Sequence, residues 1–261
     1  MDTADRDPRR AWNAGAEAYI DFVDSGADYY RHLVHGPALL AACGDVGGLA
    51  VLDLGCGHGY FSRQLASAGA SVTAIDVSDD LLATALARES KDPAGITYLR
   101  ADATRLGDSF AVASFDLATA CMSLQDTGDP AAALAEAARV LRPAGRLVFS
   151  VPHPCTTAGV RAWQRDGDGR KTALCLDRYF DTGPAVCEWN MARLKYAWAT
   201  PYHRLTFEEW SDRIYDAGLV VRRIREPRPD ATLLAECPDL EDCYRMPFFL
   251  IFDVAKAGDK G

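Results

Sequence analysis

Three glycines at alternate positions, Gly55, Gly57 and Gly59, separate the apolar run 51–54 from a helix-patterned segment over 61–68. A strand that turns on glycine into a helix lets a ligand approach the main chain, because no side chain intervenes and the helix N-terminus presents free N–H groups. Gly69 stands where a left-handed residue is expected to cap that helix. The pattern predicts an α/β fold with a small-molecule site at residue 55.

The glycine spacing discriminates between ligands. The dinucleotide pattern G-x-G-x-x-G needs a third glycine where Tyr60 stands, and no Gly-Lys-Ser/Thr follows to make a phosphate loop. A nicotinamide-dependent oxidoreductase is therefore disfavoured. Asp53, just before the turn, opposes a pyrophosphate and suits a cationic ligand. The run Asp53-Leu54-Gly55-Cys56-Gly57-His58-Gly59 resembles the first motif of the class I S-adenosylmethionine-dependent methyltransferases, D/E-x-G-x-G-x-G. The resemblance implies S-adenosyl-L-methionine as cofactor, with its sulfonium and amino group near Asp53 and its approach made at Gly55 and Gly57. Cys56 and Cys121 are expected to fill small spaces beside it, and His58, at a variable position of the motif, to shape the pocket at most.

Further motifs follow in order. A second strand over 71–75 ends at Asp76, and an acid about 20 residues past a glycine turn can accept from both ribose hydroxyls. Ser78 caps the next helix, with Asp79 and Asp80 in its positive first turn, and Val77 and Leu81 are placed to sandwich an adenine ring. After a third strand over 96–100, the family resemblance implies that Asp102 meets the adenine amino group and the amide of Ala103 a ring nitrogen. A fourth strand over 115–120 leads into Cys121-Met122-Ser123-Leu124-Gln125-Asp126. Many relatives carry a histidine near Gln125, and its absence here removes one common candidate base. Asp129 and Pro130 open a buried helix over 131–141, a turn covers 142–145, and a fifth strand covers 146–151. The run ARVLRPAGRLVFSVP closely resembles the corresponding family stretch, so the likeness extends over 51–152.

Composition excludes other classes. The chain has 261 residues, 49% hydrophobic and 25% charged, enough for one large domain. A net charge of -9 argues against nucleic acid as a partner. No apolar run reaches the roughly 20 residues of a membrane span and no signal-peptide core is present, so the cytoplasm is expected. The eight cysteines include no C-x-x-C pair, so no metal site is expected and the thiols are read as reduced.

The expected organisation is a helical cover over 1–48, a cofactor half over 49–152, an acceptor-side insertion over 153–204 and the remaining sheet over 205–261, all one structural domain. Helices are predicted over 9–23 and 28–42. Two readings stand for Tyr19 and Tyr30, packing or contact with the methionine end, as family leaders of this kind often make. The insertion carries Trp163, Tyr179, Phe180, Trp189, Tyr196, Trp198 and Tyr202 and reads as an aromatic lid. His153, between two prolines, and His203, before the capping box Thr206-Phe207-Glu208-Glu209, are the candidate bases, each equally readable as holding the lid. Strands over 219–224 and 247–252 complete the fold that the resemblance implies: a Rossmann-like, seven-stranded, mostly parallel sheet of order 3-2-1-4-5-7-6, helices on both faces and a lid after the fifth strand. The expected activity is methyl transfer to the oxygen or nitrogen of a small organic acceptor; the alternative is a cyclase or sensor that binds the cofactor without transfer.

Overall fold

The computed structural model describes residues 7–189 and 197–257. The first five strands are β1 (Ala50–Leu54), β2 (Ser71–Asp76), β3 (Thr97–Arg100), β4 (Phe115–Cys121) and β5 (Leu141–Pro152). Hairpin strands β6 (Val160–Arg165), β7 (Lys171–Asp177), β8 (Gly183–Trp189) and β9 (Trp198–Arg204) follow, then β10 (Leu219–Arg225) and β11 (Phe249–Lys256). The seven-stranded sheet has the order β3-β2-β1-β4-β5-β11-β10, with β11 antiparallel to both neighbours. With β10 and β11 as the sixth and seventh strands, this is the expected order.

The central strands β1, β4, β5 and β11 are buried on both faces, and the period-two alternation of side chains divides them between two cores. Leu52, Leu54, Ala118, Leu147, Phe149, Leu250 and Phe252 face one, with Leu134 and Trp210. Val51, Leu117, Val148 and Ile251 face the other, with Leu39, Phe61 and Leu82. The first core lies under α5 (Pro130–Val140) and α7 (Phe207–Asp216), the second under α2 (Gly36–Cys43), α3 (Tyr60–Ser67) and α4 (Asp79–Lys91). Capping sets the helix starts: Ser78 Oγ accepts from the Leu81 N–H at 3.2 Å, and Thr206 and Glu209 form both bonds of a capping box.

The leader is α1 (Pro8–Asp24), capped by Asp7. It is tied to α4 by Arg9 Nε donating to Asp79 Oδ2 at 2.9 Å and by the Arg88–Asp24 ion pair. The predicted second helix is continuous over 29–43 but carries a π-turn, Arg31–His35, before α2 at Gly36. A π-turn widens the helix by one residue per turn, and this one buries both Arg31 and His35. β5 starts at Leu141, five residues before the expected start, because Leu141 pairs with Phe115 ahead of a register shift.

The insertion is more regular than its sequence suggests. After α6 (Pro154–Thr157), β6 and β7 form one antiparallel hairpin and β8 and β9 another. The stretch between β10 and β11 carries α8 (Ala231–Glu236) and α9 (Glu241–Arg245). Among the described residues no helix is long and apolar enough to cross a membrane.

Candidate functional site

β1 lies between β2 and β4, so connections leave its carboxyl end in opposite directions and open a crevice there. Gly55 and Gly57 turn the chain at that point with φ of 69° and 57°. A Cβ on Gly55 would stand 2.5 Å from that of Ser123, whose hydroxyl donates to the Leu54 carbonyl at 2.6 Å. Glycine is thus required both for its backbone angle and for the close approach of the chain after β4.

Asp76 closes the turn from the end of β2. Its Oδ2 accepts the Gly57 N–H at 2.7 Å and its Oδ1 the Ser78 N–H at 2.8 Å. Burial raises its pKa, and backbone N–H donors, those of Ser78 and Gly57 first, oppose the rise. A carboxylate offers about four acceptor positions, and with the Val77 N–H also bonding to it about one remains for a ligand.

A cleft of about 350 Å³ runs along this edge of the sheet. Gly55, Gly57, Asp76, Val77 and Leu81 form one wall, continued by Asp102 and Ala103 after β3. Tyr19 and Trp12 of α1 cover it, and Cys121 through Leu124, with Asp126 to Gly128, form the far wall. Nine sequence-predicted residues therefore meet in one cavity: Tyr19, Gly55, Gly57, Asp76, Val77, Leu81, Asp102, Ala103 and Cys121.

Five do not line it. Asp53 is 1% exposed beneath the turn, where Ser62 Oγ donates to its Oδ2 at 2.6 Å and Thr119 Oγ1 to its Oδ1 at 2.8 Å. Burial pushes its pKa up to about 6 against these two hydroxyls. Cys56 is buried with its thiol toward the Gly57 carbonyl. Tyr30 packs on Tyr29 and Phe248, with ring centroids 4.5 and 5.3 Å away. His153 is 3% exposed: its Nδ1 accepts the Cys155 N–H at 3.1 Å, capping α6, and its Nε2 lies 3.0 Å from Glu226 Oε1. Burial lowers its pKa while Glu226 raises it. His203, opposite Pro184 in the β8–β9 hairpin, is held by the backbone of Gly128 and Thr127, with burial lowering its pKa. Both histidines have hydrogen-bond partners within the fold. His58 is 1% exposed, edge-on to Tyr19, and burial lowers its pKa to about 4.

The aromatic insertion backs the cleft through α1 and through the turn Leu124–Asp126, against which β9 packs. Among the described residues, none from 153 to 204 lines the cavity. Trp189 and Trp198 stack at 5.0 Å and 3°, and Trp189 contacts Trp12 and Tyr19 from behind. Trp163 instead packs beneath the Arg245 guanidinium, Tyr179 accepts the Phe207 N–H, Tyr202 accepts from Arg204 Nε, and Phe180 is 81% exposed. Tyr196 lies outside the described residues.

Three features in or behind the cleft wall escape a sequence reading. Arg31 is 7% exposed, donating from Nε to Asp28 Oδ2 at 2.9 Å and from Nη1 to Cys121 Sγ at 3.5 Å, with its guanidinium 5.6 Å from the Tyr19 and Tyr60 rings. It places a buried cation behind the thiol that faces the cavity, and that thiol is pushed up to about 11 by burial. Met122 holds φ of 56°, strained for a side chain, while its N–H donates to Ser150. Asp126 lines the far wall, and burial raises its pKa well above the carboxylate range. A lone acid after the fourth strand was the visible sign of the last; the burial of Arg31 had none. No group of three or more metal-ligating side chains gathers among the described residues.

A family model described as a methyltransferase domain matches residues 52–149. An S-adenosylmethionine-dependent methyltransferase from Mesorhizobium loti superposes with a TM-score of 0.71 at 32% identity, over 84% of this chain and 96% of that one. A ubiquinone biosynthesis O-methyltransferase from Aromatoleum aromaticum is 37% identical over 103 residues, 40% of this chain and 44% of its own. A malonyl-[acyl-carrier protein] O-methyltransferase from Pectobacterium atrosepticum is 36% identical over 155 residues, 59% of this chain and 58% of its own. The chain thus spans about half the length of these curated relatives.

Proposed function

The chain belongs to the class I S-adenosylmethionine-dependent methyltransferases, and from that premise we propose that it transfers a methyl group to an oxygen of a small organic acceptor. The observation that carries the reading is Asp76, bonded to the amides of Gly57 and Ser78 and lining the cleft with acceptor capacity left over. That acid suits a ribose diol. The donor set fits the rest of the cofactor as well. Val77 and Leu81 offer apolar surface to a flat base, with Asp102 at its edge. The Arg31 guanidinium, behind Cys121, offers a buried positive charge to a carboxylate. Tyr19 and Trp12 offer ring faces to a cationic sulfur.

S-Adenosylmethionine supplies, when bound, a methyl group on positively charged sulfur. The residues of this chain position rather than activate: the glycine turn sets the depth of approach and Asp76 the lateral register. α1 with Trp12 and Tyr19 keeps water from the covered side. Oxygen is favoured as acceptor because both curated relatives are named as O-methyltransferases. Calorimetry tests the cofactor assignment: S-adenosylhomocysteine is expected to bind and NAD not, and the reverse would overturn it. Radiolabelled methyl transfer over a panel of hydroxyl, carboxyl and amine metabolites tests the reaction. Binding without any transfer would leave a cofactor-binding protein instead.

A further inference from the structure

Four carboxyl groups line the cleft, those of Asp7, Asp76, Asp102 and Asp126. Three are committed elsewhere. Asp7 caps α1, Asp76 holds the glycine turn, and Asp102 Oδ1 accepts both the N–H and the hydroxyl of Thr104 at the opposite end of the cavity. Asp126 differs. Gln125 Nε2 donates to its Oδ2 at 3.1 Å while also donating to the Met122 carbonyl at 2.7 Å, which orients the carboxyl group. Its Oδ1 has no partner among the described residues.

The position is that of an acceptor-side group. Asp126 ends the single turn Leu124–Asp126 that follows β4, across the cavity from Asp76 and packed against β9. We infer that Asp126 receives the proton that a hydroxyl acceptor gives up as its oxygen is methylated. The inference rests on the methyl-transfer reading above. In the step, the acceptor O–H bond breaks and its proton passes to the Asp126 carboxylate. The oxygen forms a bond to the methyl carbon, and the carbon–sulfur bond breaks with its electron pair left on sulfur.

The surroundings suit that task. Burial raises the proton affinity of Asp126, as does the neighbouring charge of Asp76, while Gln125 and the Arg31 guanidinium lower it. The Cys187 thiol of β8 faces it and is itself pushed up to about 11, mainly by burial, so it stays neutral. His203 of β9 is tied to the next two residues and held below its usual pKa, chiefly by burial. A carboxylate of raised proton affinity takes up a hydroxyl proton more readily than a solvated one.

Asp126→Asn preserves shape and removes the base. Calorimetry with S-adenosylhomocysteine is expected to give a Kd within about 3-fold of wild type, and a wild type that binds none would instead sink the methyltransferase reading. Infrared difference spectra of the same complexes, titrated from pH 5 to 9, are expected to show a carboxylic-acid band in wild type that Asp126→Asn lacks. With labelled methyl transfer into a panel of phenols, enols and amines, turnover of the hydroxyl acceptors is expected to fall at least ~100-fold, with loss of the rising limb of the kcat–pH profile. Asp126→Glu is expected to restore that limb. Wild-type turnover by Asp126→Asn at every pH, no titrating band in wild type, or label that enters amines only would overturn the inference.

Discussion

Thr119 and Asp53 stand in register on β4 and β1, and the threonine hydroxyl donates to the carboxylate at 2.8 Å beneath the glycine turn. With Ser62 on the other oxygen, the acid is sealed from water, and burial moves its pKa from 3.8 to about 6. The folded chain therefore keeps the proton to higher pH than the unfolded chain. The stabilisation is fully present below about pH 4 and is lost as pH rises to about 6, a change on the order of 3 kcal/mol. Urea unfolding of wild type and Asp53→Asn at pH 4 and 7.5 is expected to show wild type losing ground to the variant by about that amount. A gap that does not change with pH would mean that Asp53 is ionised throughout.

Arg31 makes a sharper test of which end of the cleft holds the amino-acid moiety. Arg31→Met is expected to weaken S-adenosylhomocysteine about 10- to 100-fold, the worth of one charge-assisted contact. 5′-Methylthioadenosine, which lacks the carboxylate, is expected to bind the variant within about 3-fold of wild type. Calorimetry with the two ligands measures the difference. Equal weakening of both would assign Arg31 to holding α1 and the π-turn in place.

At Gly55, a methyl group meets two separate obstacles. The φ of 69° is unfavourable for alanine, and the new Cβ collides with Ser123. Gly55→Ala is expected to cost about 2–4 kcal/mol in urea unfolding and to abolish S-adenosylhomocysteine binding. Adding Ser123→Gly removes the collision but not the backbone strain, so the double variant is expected to recover part of the stability. No recovery would place the whole cost in the backbone angle.

His153 is expected to behave as a structural residue. His153→Ala breaks the cap on α6 and the pairing with Glu226 and leaves a gap beside Phe207, whose ring centroid is 5.1 Å away. A loss of about 1–3 kcal/mol in thermal or urea unfolding is expected, with unchanged affinity for S-adenosylhomocysteine. Loss of methyl transfer without loss of stability would return it to the reaction.

What could be read in advance follows the physics of short range. Strand order, the glycine turn and Asp76 are legible because alternation and spacing along one strand and one turn determine them. Asp53 is legible as an acid in an apolar run, but its direction is set by Thr119, 66 residues away, and by a hydroxyl on the following helix. Arg31 looks like any polar residue of an amphipathic leader, since only the π-turn carries it inward. The bonds of the two histidines are hidden for the same reason: their partners Glu226 and the Thr127–Gly128 backbone come from distant parts of the chain. Aromatic content in 153–204 signalled packing, but the direction in which each hairpin leans is a tertiary matter.

The Trp198 ring occupies the volume that any side chain at Gly15 would need, and through Trp189 it touches Trp12 and Tyr19. The leader helix and the second hairpin thus share one seam. Neither can lift without parting that joint, so a bulkier residue at Gly15 would be felt at Trp12 and Tyr19 through two intervening rings.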